Sequence, residues 1–323
     1  MAELNLKGFD SVFESTLSNE LLDNIVEFFD WSLLEKGNYY NVTVGESSPN
    51  GYDYSKMKLS SHKGYTTGKA WEGFRENWVW QSGVAFNPAP KVGSDNTYPG
   101  ISGVYVDSVF RPTSGVGTYA HYVDYFNGRV VFNSPIPTGS TVQVEHSYKW
   151  INVLYANSIP WLRDIQYRTY DKNSEFLQTG KGNWDKSPES RVQLPAIAIE
   201  IIPKRIMKGY QLGGGQYVST DVLFHCIAED EHTRDKLVDI VSLQNEKTIY
   251  KFDSNRLASS GKMPIDFRGT PNSGAFRYPE MVNNYRKGSI RLKDSSVQGM
   301  DMVNSNLYGG IVKLTAEVIE PSI

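Results

Sequence analysis

Five histidines, one cysteine and many carboxylates are the residue types in this chain that could hold a metal ion or move a proton. The histidines are His62, His121, His146, His225 and His232. No two of them are four residues apart, the spacing that puts two imidazoles on one helix face, and Cys226 has no second cysteine with which to bind zinc. His225 and His232 flank Asp230 and Glu231, and four such groups could collect a divalent ion; a strand-end histidine next to the acids that start a helix explains them as well. Cys226 falls on the apolar face of an alternating stretch, the place of a small buried hydrophobe. Acid pairs such as Asp230–Glu231 and Asp185–Glu189 have no frame diagnostic of acid–base catalysis. Gly139-Ser140 and Ser114-Gly115 lack the Gly-x-Ser-x-Gly pattern of a nucleophile elbow. Gly213-Gly214-Gly215 joins two strands, not a strand and a helix, so it lacks the setting that holds a dinucleotide. These residues point to no enzyme and to no cofactor.

Binding chemistry is scarcely plainer. Lys56, Lys58, His62, Lys63 and Lys69 form the most basic local stretch, either a phosphate-contacting loop or a solvated one. Gly64 and Gly68 are not followed by the lysine–hydroxyl pair of a phosphate-cradling loop. Trp71, Trp78 and Trp80 would make a sugar-stacking platform if exposed, but alternation puts Trp78 and Trp80 on one face, as core residues would be. The formal net charge of -3 gives no global basic field to draw in nucleic acid.

The elements that would position these residues are easier to read. With 323 residues, the chain is long enough for two domains, and 39% hydrophobic with 21% charged residues is the balance of a globular chain. Twenty tyrosines, 28 glycines and seven tryptophans favour strands, turns and contact surfaces over helical bundles. The first residues lack the charged-then-apolar order of a signal peptide, and no apolar run approaches ~18 residues, so synthesis in a cytoplasm and no membrane partner are expected.

Leu21, Leu22, Ile25, Val26, Phe29 and Leu33 recur at helical steps, predicting an amphipathic helix over 18–36 with Ser18 as its cap and Gly37 as its stop. From Phe74 to Trp150 the pattern is all-β, with Asn127-Gly128 as a two-residue type I′ hairpin turn. The connector 151–191 holds one possible strand at Ile165, Tyr167 and Thr169. Leu194–Pro203 then reads as a buried strand, 204–216 as a flexible glycine loop, and Tyr217–Ile227 as an alternating strand. Asp230 caps a helix carrying Leu237, Ile240, Val241 and Gln244. A short strand at 248–252, a long polar excursion over 253–284, and closing strands at 288–292 and 310–318 complete the chain. The expected fold class is α+β: a mixed sheet with two packed helices, plus an inserted all-β sandwich or barrel module. Residues 1–72 are assigned to the helix and polar loop of the α+β domain, 73–155 to the module, and 156–323 to the rest of that domain.

Two stretches resemble virion proteins of tailed bacteriophages. Val104-Tyr105-Val106, the run Tyr122–Phe132 with its Asp-Tyr and Asn-Gly-Arg, the turn Pro135–Gly139 and the strand Val142–Tyr148 are similar to a β module of phage head, neck and tail components. The order helix, apolar strand, glycine loop, alternating strand and acid-started helix resembles the neck and tail-terminator (tail completion) family. Leu212-Gly213-Gly214-Gly215 and the helix start Glu229–Leu237 carry that likeness. The chain departs from the family in being about twice as long, in its inserted module and in the 253–284 excursion.

The resemblance implies a non-enzymatic virion component, made in the host cytoplasm, that forms a ring capping the tail tube and joining it to the head. A sixfold ring is the first expectation and a twelvefold ring the second, with tail-tube and neck or head-completion proteins as neighbours. Ile206, Met207, Tyr210, Leu212, Gly213, Gly214, Gly215 and Tyr217 are the candidate subunit-interface loop, expected to be mobile in the free subunit. Lys56, Lys58, Lys63 and Lys69 are the candidate basic loop, able to touch DNA passing through a lumen. A baseplate or fibre-attachment binding protein is the alternative, and a small hydrolase the weaker one.

Overall fold

The computed structural model describes residues 11–46, 53–91, 101–159, 162, 193–211, 214–272, 274–304 and 307–320. The possible strand at 165–169 and the acids Asp185 and Glu189 lie outside them. Helix α1, Leu17–Leu34, forms where the apolar stripe demands it, burying Leu21, Ile25, Val26, Phe29 and Leu33. Its N-cap is Thr16, two residues before the expected Ser18, and no side chain caps it. The Ser18 hydroxyl instead accepts from the Arg205 guanidinium, since an arginine from another element reaches it first. Gly37, at φ +81°, turns the chain out of the helix.

The β region starts directly after this turn. β1 (Tyr39–Val42) pairs antiparallel with β9 (His146–Lys149). β2 (Lys58–Leu59), β3 (Ala70–Glu72), β7 (Arg129–Phe132) and β6 (His121–Asp124) form one sheet, and β5 (Val109–Pro112), β4 (Gly103–Val106) and β8 (Val142–Gln143) another. One core joins them, with Val42, Met57, Trp71, Trp78, Trp80, Val104, Val123 and Phe132 among its buried members. Strand pairing joins β1, β2 and β3 to the β region, although the sequence pattern groups residues 1–72 with the α+β domain. The tryptophans belong to the core and offer no stacking platform.

The Asn127-Gly128 turn differs from expectation. Asp124 pairs with Arg129, which leaves a four-residue loop, and within it only Gly128 has positive φ, at +61°. The Asp124 carboxylate accepts from the Asn127 backbone N–H (2.9 Å) and from its amide (2.8 Å), so the side chain shapes the turn. Arg129 meets Glu72 at 3.2 Å, both buried. The Asp-Tyr and Asn-Gly-Arg signature thus has a structural role: a turn brace followed by a buried ion pair.

The second region is a six-stranded mixed sheet in the order β10 (Asn152–Tyr155), β11 (Ala196–Gln211), β12 (Gly214–Ala228), β15 (Leu307–Glu320), β14 (Arg286–Asn304), β13 (Lys247–Phe252). β10 runs parallel to β11 and every other pair is antiparallel. Alternation puts Ile197, Ile199, Val222, Phe224, Cys226, Leu292, Val312, Leu314 and Ala316 on one face, in a single core with α1 and with α2 (Glu231–Ser242). Asp230 caps α2, accepting from the Thr233 N–H at 2.8 Å. Two short helices, α3 (Ser254–Ser259) and α4 (Tyr278–Tyr285), interrupt the excursion, whose middle packs on the β region through Tyr125 N–H to Gly269 C=O (2.8 Å) and Thr270 Oγ1 to Val123 C=O (2.8 Å). The chain is an α+β protein made mostly of strands.

One correction bears on function. Residues 204–211 and 214–216 are strand, not loop. β11 and β12 form one long hairpin paired from Ala196↔Ile227 to Gln211↔Gly214. A single register break between Ile201 and Arg205 contains Pro203, which has no N–H to give to a ladder. Thr220 Oγ1 takes up the freed carbonyls there, donating to Ile202 (3.1 Å) and Lys204 (3.3 Å).

Buried polar bonds fasten the two regions. Lys149 Nζ lies 2.7 Å from Asp30 Oδ2, which also accepts from Gln81 (2.9 Å). Arg75 donates to the Leu194 carbonyl (2.8 Å), and Asn38 exchanges two bonds with Ile151 (2.8 and 2.7 Å). Lys251 meets Glu20 at 2.7 Å and also binds Glu320, tying α1 to the sheet.

Candidate interaction surface

Beyond the register break the β11–β12 hairpin stays in the sheet, β12 pairing with β15 as far as Gln216↔Glu320, and β11 becomes the edge strand of this outer hairpin, or arm. Register assigns Ile206, opposite Ser219, and Lys208, opposite Tyr217, to the sheet face away from the helices; Arg205 and Met207, opposite Thr220 and Val218, take the helix face. Ile206 is 52% exposed, Met207 49% and Tyr210 51%, so the arm offers apolar surface on both faces. Tyr217 is turned to its neighbours: its hydroxyl donates to Glu317, which also pairs with Lys293 at 2.7 Å. Gly214 and Gly215 open β12, the latter at φ +84°, while Leu212 and Gly213 lie outside the described residues. Between Ile201 and Thr220 the chain carries Lys204, Arg205 and Lys208 and no acid.

The basic residues are spread over the β region. Lys56 bridges to Gln143, Lys58 stands opposite Glu72 in β2, and Lys63 lies between β2 and β3. Lys56 and Lys63 are exposed, and Lys58 and Lys69 half-buried.

The histidines are dispersed. His225 Nε2 lies 3.2 Å from Glu200, across the sheet pair. His146 stacks on Trp78 at 4.2 Å, and burial pushes its pKa down to about 4. Burial also lowers His121, whose Nδ1 is 2.8 Å from the Tyr119 carbonyl. Burial pushes the Cys226 thiol up to about 12, which fits an inert core residue. Among the described residues no three His, Cys, Asp or Glu side chains are grouped to hold a metal ion, and no helix is long and apolar enough to cross a membrane.

No protein-family model matches the chain. No curated protein resembles it significantly. The functional reading therefore rests on the residues themselves.

Two further features were not anticipated. Asp23 and Glu27, one turn apart on α1, line a cavity of about 60 Å³ together with Tyr155, Ser254, Met263 and Met281. The Tyr155 hydroxyl donates to Asp23 at 3.2 Å. Burial raises Asp23, and burial followed by the nearby Asp30 raises Glu27 to about 8. Such a cavity holds about two waters at roughly 30 Å³ each and is too small for an organic substrate. The recurrence Glu20, Asp23, Glu27, Asp30 beside the apolar stripe was the available signal. The second feature is an open groove of about 550 Å³ between α1, α2, β13 and α4, lined by Phe28, Trp31, Ile240, Tyr250, Tyr278 and Val282.

Proposed function

We propose that the chain is a structural component of a tailed phage particle, a neck or tail-terminator protein that forms a ring, caps the tail tube and joins it to the head. The observation that carries this reading is the β11–β12 arm, which leaves Ile206, Met207 and Tyr210 half-exposed along the sheet edge. A monomer gains nothing from such exposure, whereas a neighbour would bury it. A ring of more than two subunits closes through two unlike surfaces that meet head to tail. The groove at Phe28, Trp31 and Tyr278 is the second surface. The phage-like signature in the β region supports the same reading. A sixfold ring comes first and a twelvefold ring second; exposed Lys56 and Lys63 would favour passing DNA if turned to the lumen. Electron microscopy and mass measurement of the purified protein test this: rings support it, and a strict monomer at high concentration that is absent from virions overturns it.

The Asp23–Glu27 pair favours a second reading, a small hydrolase in which the raised Glu27 carboxyl gives a proton. Its cavity would have to open to admit a substrate. Hydrolysis of a model ester or glycoside that is abolished by Glu27→Gln would establish it.

A further inference from the structure

We infer that the outer edge of β11, from Arg205 to Gln211, is a docking site for an extended, acid-containing peptide strand, which adds to the six-stranded sheet as a seventh strand.

The sheet treats its free edges unequally. Along β13 the outer edge is capped by side chains. Asn24 accepts from the Phe252 N–H (2.7 Å) and donates to its carbonyl (3.0 Å), and the Tyr278 hydroxyl donates to the Tyr250 carbonyl (2.9 Å). The part of β14 beyond β13 is broken by three register shifts, between Lys293 and Ser296, Gln298 and Met300, and Met302 and Asn304, with Asp294 at φ +53° and Gly299 at φ +70°. Capping and bulging are two of the ways in which sheets protect edges. β11 has neither. β10 covers it only from Ala196 to Ile199, and the pairing with β12 is unbroken from Arg205 to Gly209. Among the described residues, alternate N–H and C=O groups of this edge point outward without a partner.

The side chains specify the visitor. An antiparallel partner meets Tyr210, Gly209, Lys208, Met207, Ile206 and Arg205 in turn. Cross-strand pairing then favours an apolar residue opposite Tyr210 and acids opposite Lys208 and Arg205. Apolar residues fit opposite Met207 and Ile206. Gly209 is not at positive φ and has open space where a Cβ would stand, leaving room for an aromatic neighbour. The preferred segment reads apolar, aromatic, acid, apolar, apolar, acid. Lys204 adds to the charge, and no acid within the arm offsets it. A nucleic-acid strand would answer the charges but not the outward carbonyls, which need donors at strand spacing; a peptide answers both.

The test uses the full chain and a labelled, end-blocked peptide containing Val-Phe-Glu-Val-Val-Glu, followed by fluorescence anisotropy. Saturable binding is expected, with slowed hydrogen exchange at alternate residues of 205–211. Lys208→Glu should weaken binding about tenfold or more, the effect of replacing one close attraction by repulsion. Of Met207→Pro and Lys208→Pro, the one whose N–H faces outward should fold normally and lose binding. No binding, equal binding of the peptide with lysines in place of glutamates, or a preference for a twelve-nucleotide oligothymidylate would each overturn the inference. The inference does not rest on the ring. A monomer that takes the peptide keeps it and loses the ring, whereas a ring unaffected by Lys208→Glu that ignores the peptide does the reverse.

Discussion

The β region and the six-stranded sheet solve the same problem by different means. In the β region, strands of two to four residues are too short to hold register by backbone pairing alone, and side chains do much of the bracing. Asp124 braces the turn, Glu72 meets Arg129, and Arg75, Asn38 and Lys149 reach across to the other region. In the sheet, four strands of 14 to 19 residues pair over long stretches through their backbones, with register shifts only at a few points of β11 and β14. A short-stranded region held by side chains is sensitive at single positions and ends where its core ends. A long hairpin tolerates change along its outer part and can carry surface away from the core.

This contrast predicts the largest loss at Gly128. A side chain there requires positive φ and drives into the Arg75 carbonyl oxygen. Gly128→Val should cost about 3–5 kcal/mol or prevent folding, as an obligatory backbone conformation is lost together with a close contact. Urea unfolding checks it, and a variant within about 1 kcal/mol of the parent would mean that the turn relaxes more easily than its bracing implies.

Close behind is the clasp between the regions. Lys149→Met leaves the Asp30 carboxylate, already unpartnered at Oδ1, buried without its cation. A loss of about 3–5 kcal/mol is expected from an uncompensated buried charge. The double variant Lys149→Met, Asp30→Leu should recover part of that loss. If it recovers none, packing at this junction matters more than charge.

The two regions should also respond to pH in opposite senses. His146 has a folded pKa of about 4, below its unfolded value near 6.5. The stability this gives is present above pH 6.5 and is lost as the pH falls toward 4. Glu27 has a folded pKa of about 8, above its unfolded value. Its contribution is full below about pH 4.5 and is lost as the pH rises toward 8. Each limb involves one proton and so falls by at most about 1.4 kcal/mol per pH unit. Glu27→Gln should flatten the alkaline limb alone and His146→Phe the acid limb alone; flattening of both limbs by one variant would mean that the groups are coupled.

How much of this was legible follows the same division. α1, the Asp230 cap, the buried Cys226 and the alternation of 217–227 and 310–318 could be read because each depends on local periodicity or on one side chain next to its backbone target. The arm was missed because Gly209, Gly213 and Pro203 lower strand propensity, while the strand is held by its partner β12 and by Thr220 at the break. Thr16 displaced Ser18 as cap because Arg205, distant in sequence, engages Ser18. The four-residue turn at Asn127 escaped the dipeptide rule because Asp124 binds that residue twice. In each case a contact distant in sequence, or a side chain on its own turn, overrode the local signal.

The smallest effect expected is at Gly209, and it tests the comparison from the other side. Like Gly128 it lies in a β hairpin, but it is not at positive φ, and a Cβ there meets nothing within 4 Å. Gly209→Ala removes freedom from the unfolded chain without straining the folded one, so stability should rise by about 0.4–1 kcal/mol or stay level. Peptide docking at the β11 edge should persist, because one methyl still leaves space beside it. A loss above about 1 kcal/mol would mean that the arm already packs against something in the free protein. The outer hairpin would then be as constrained as the β region, and the contrast between the two would fail.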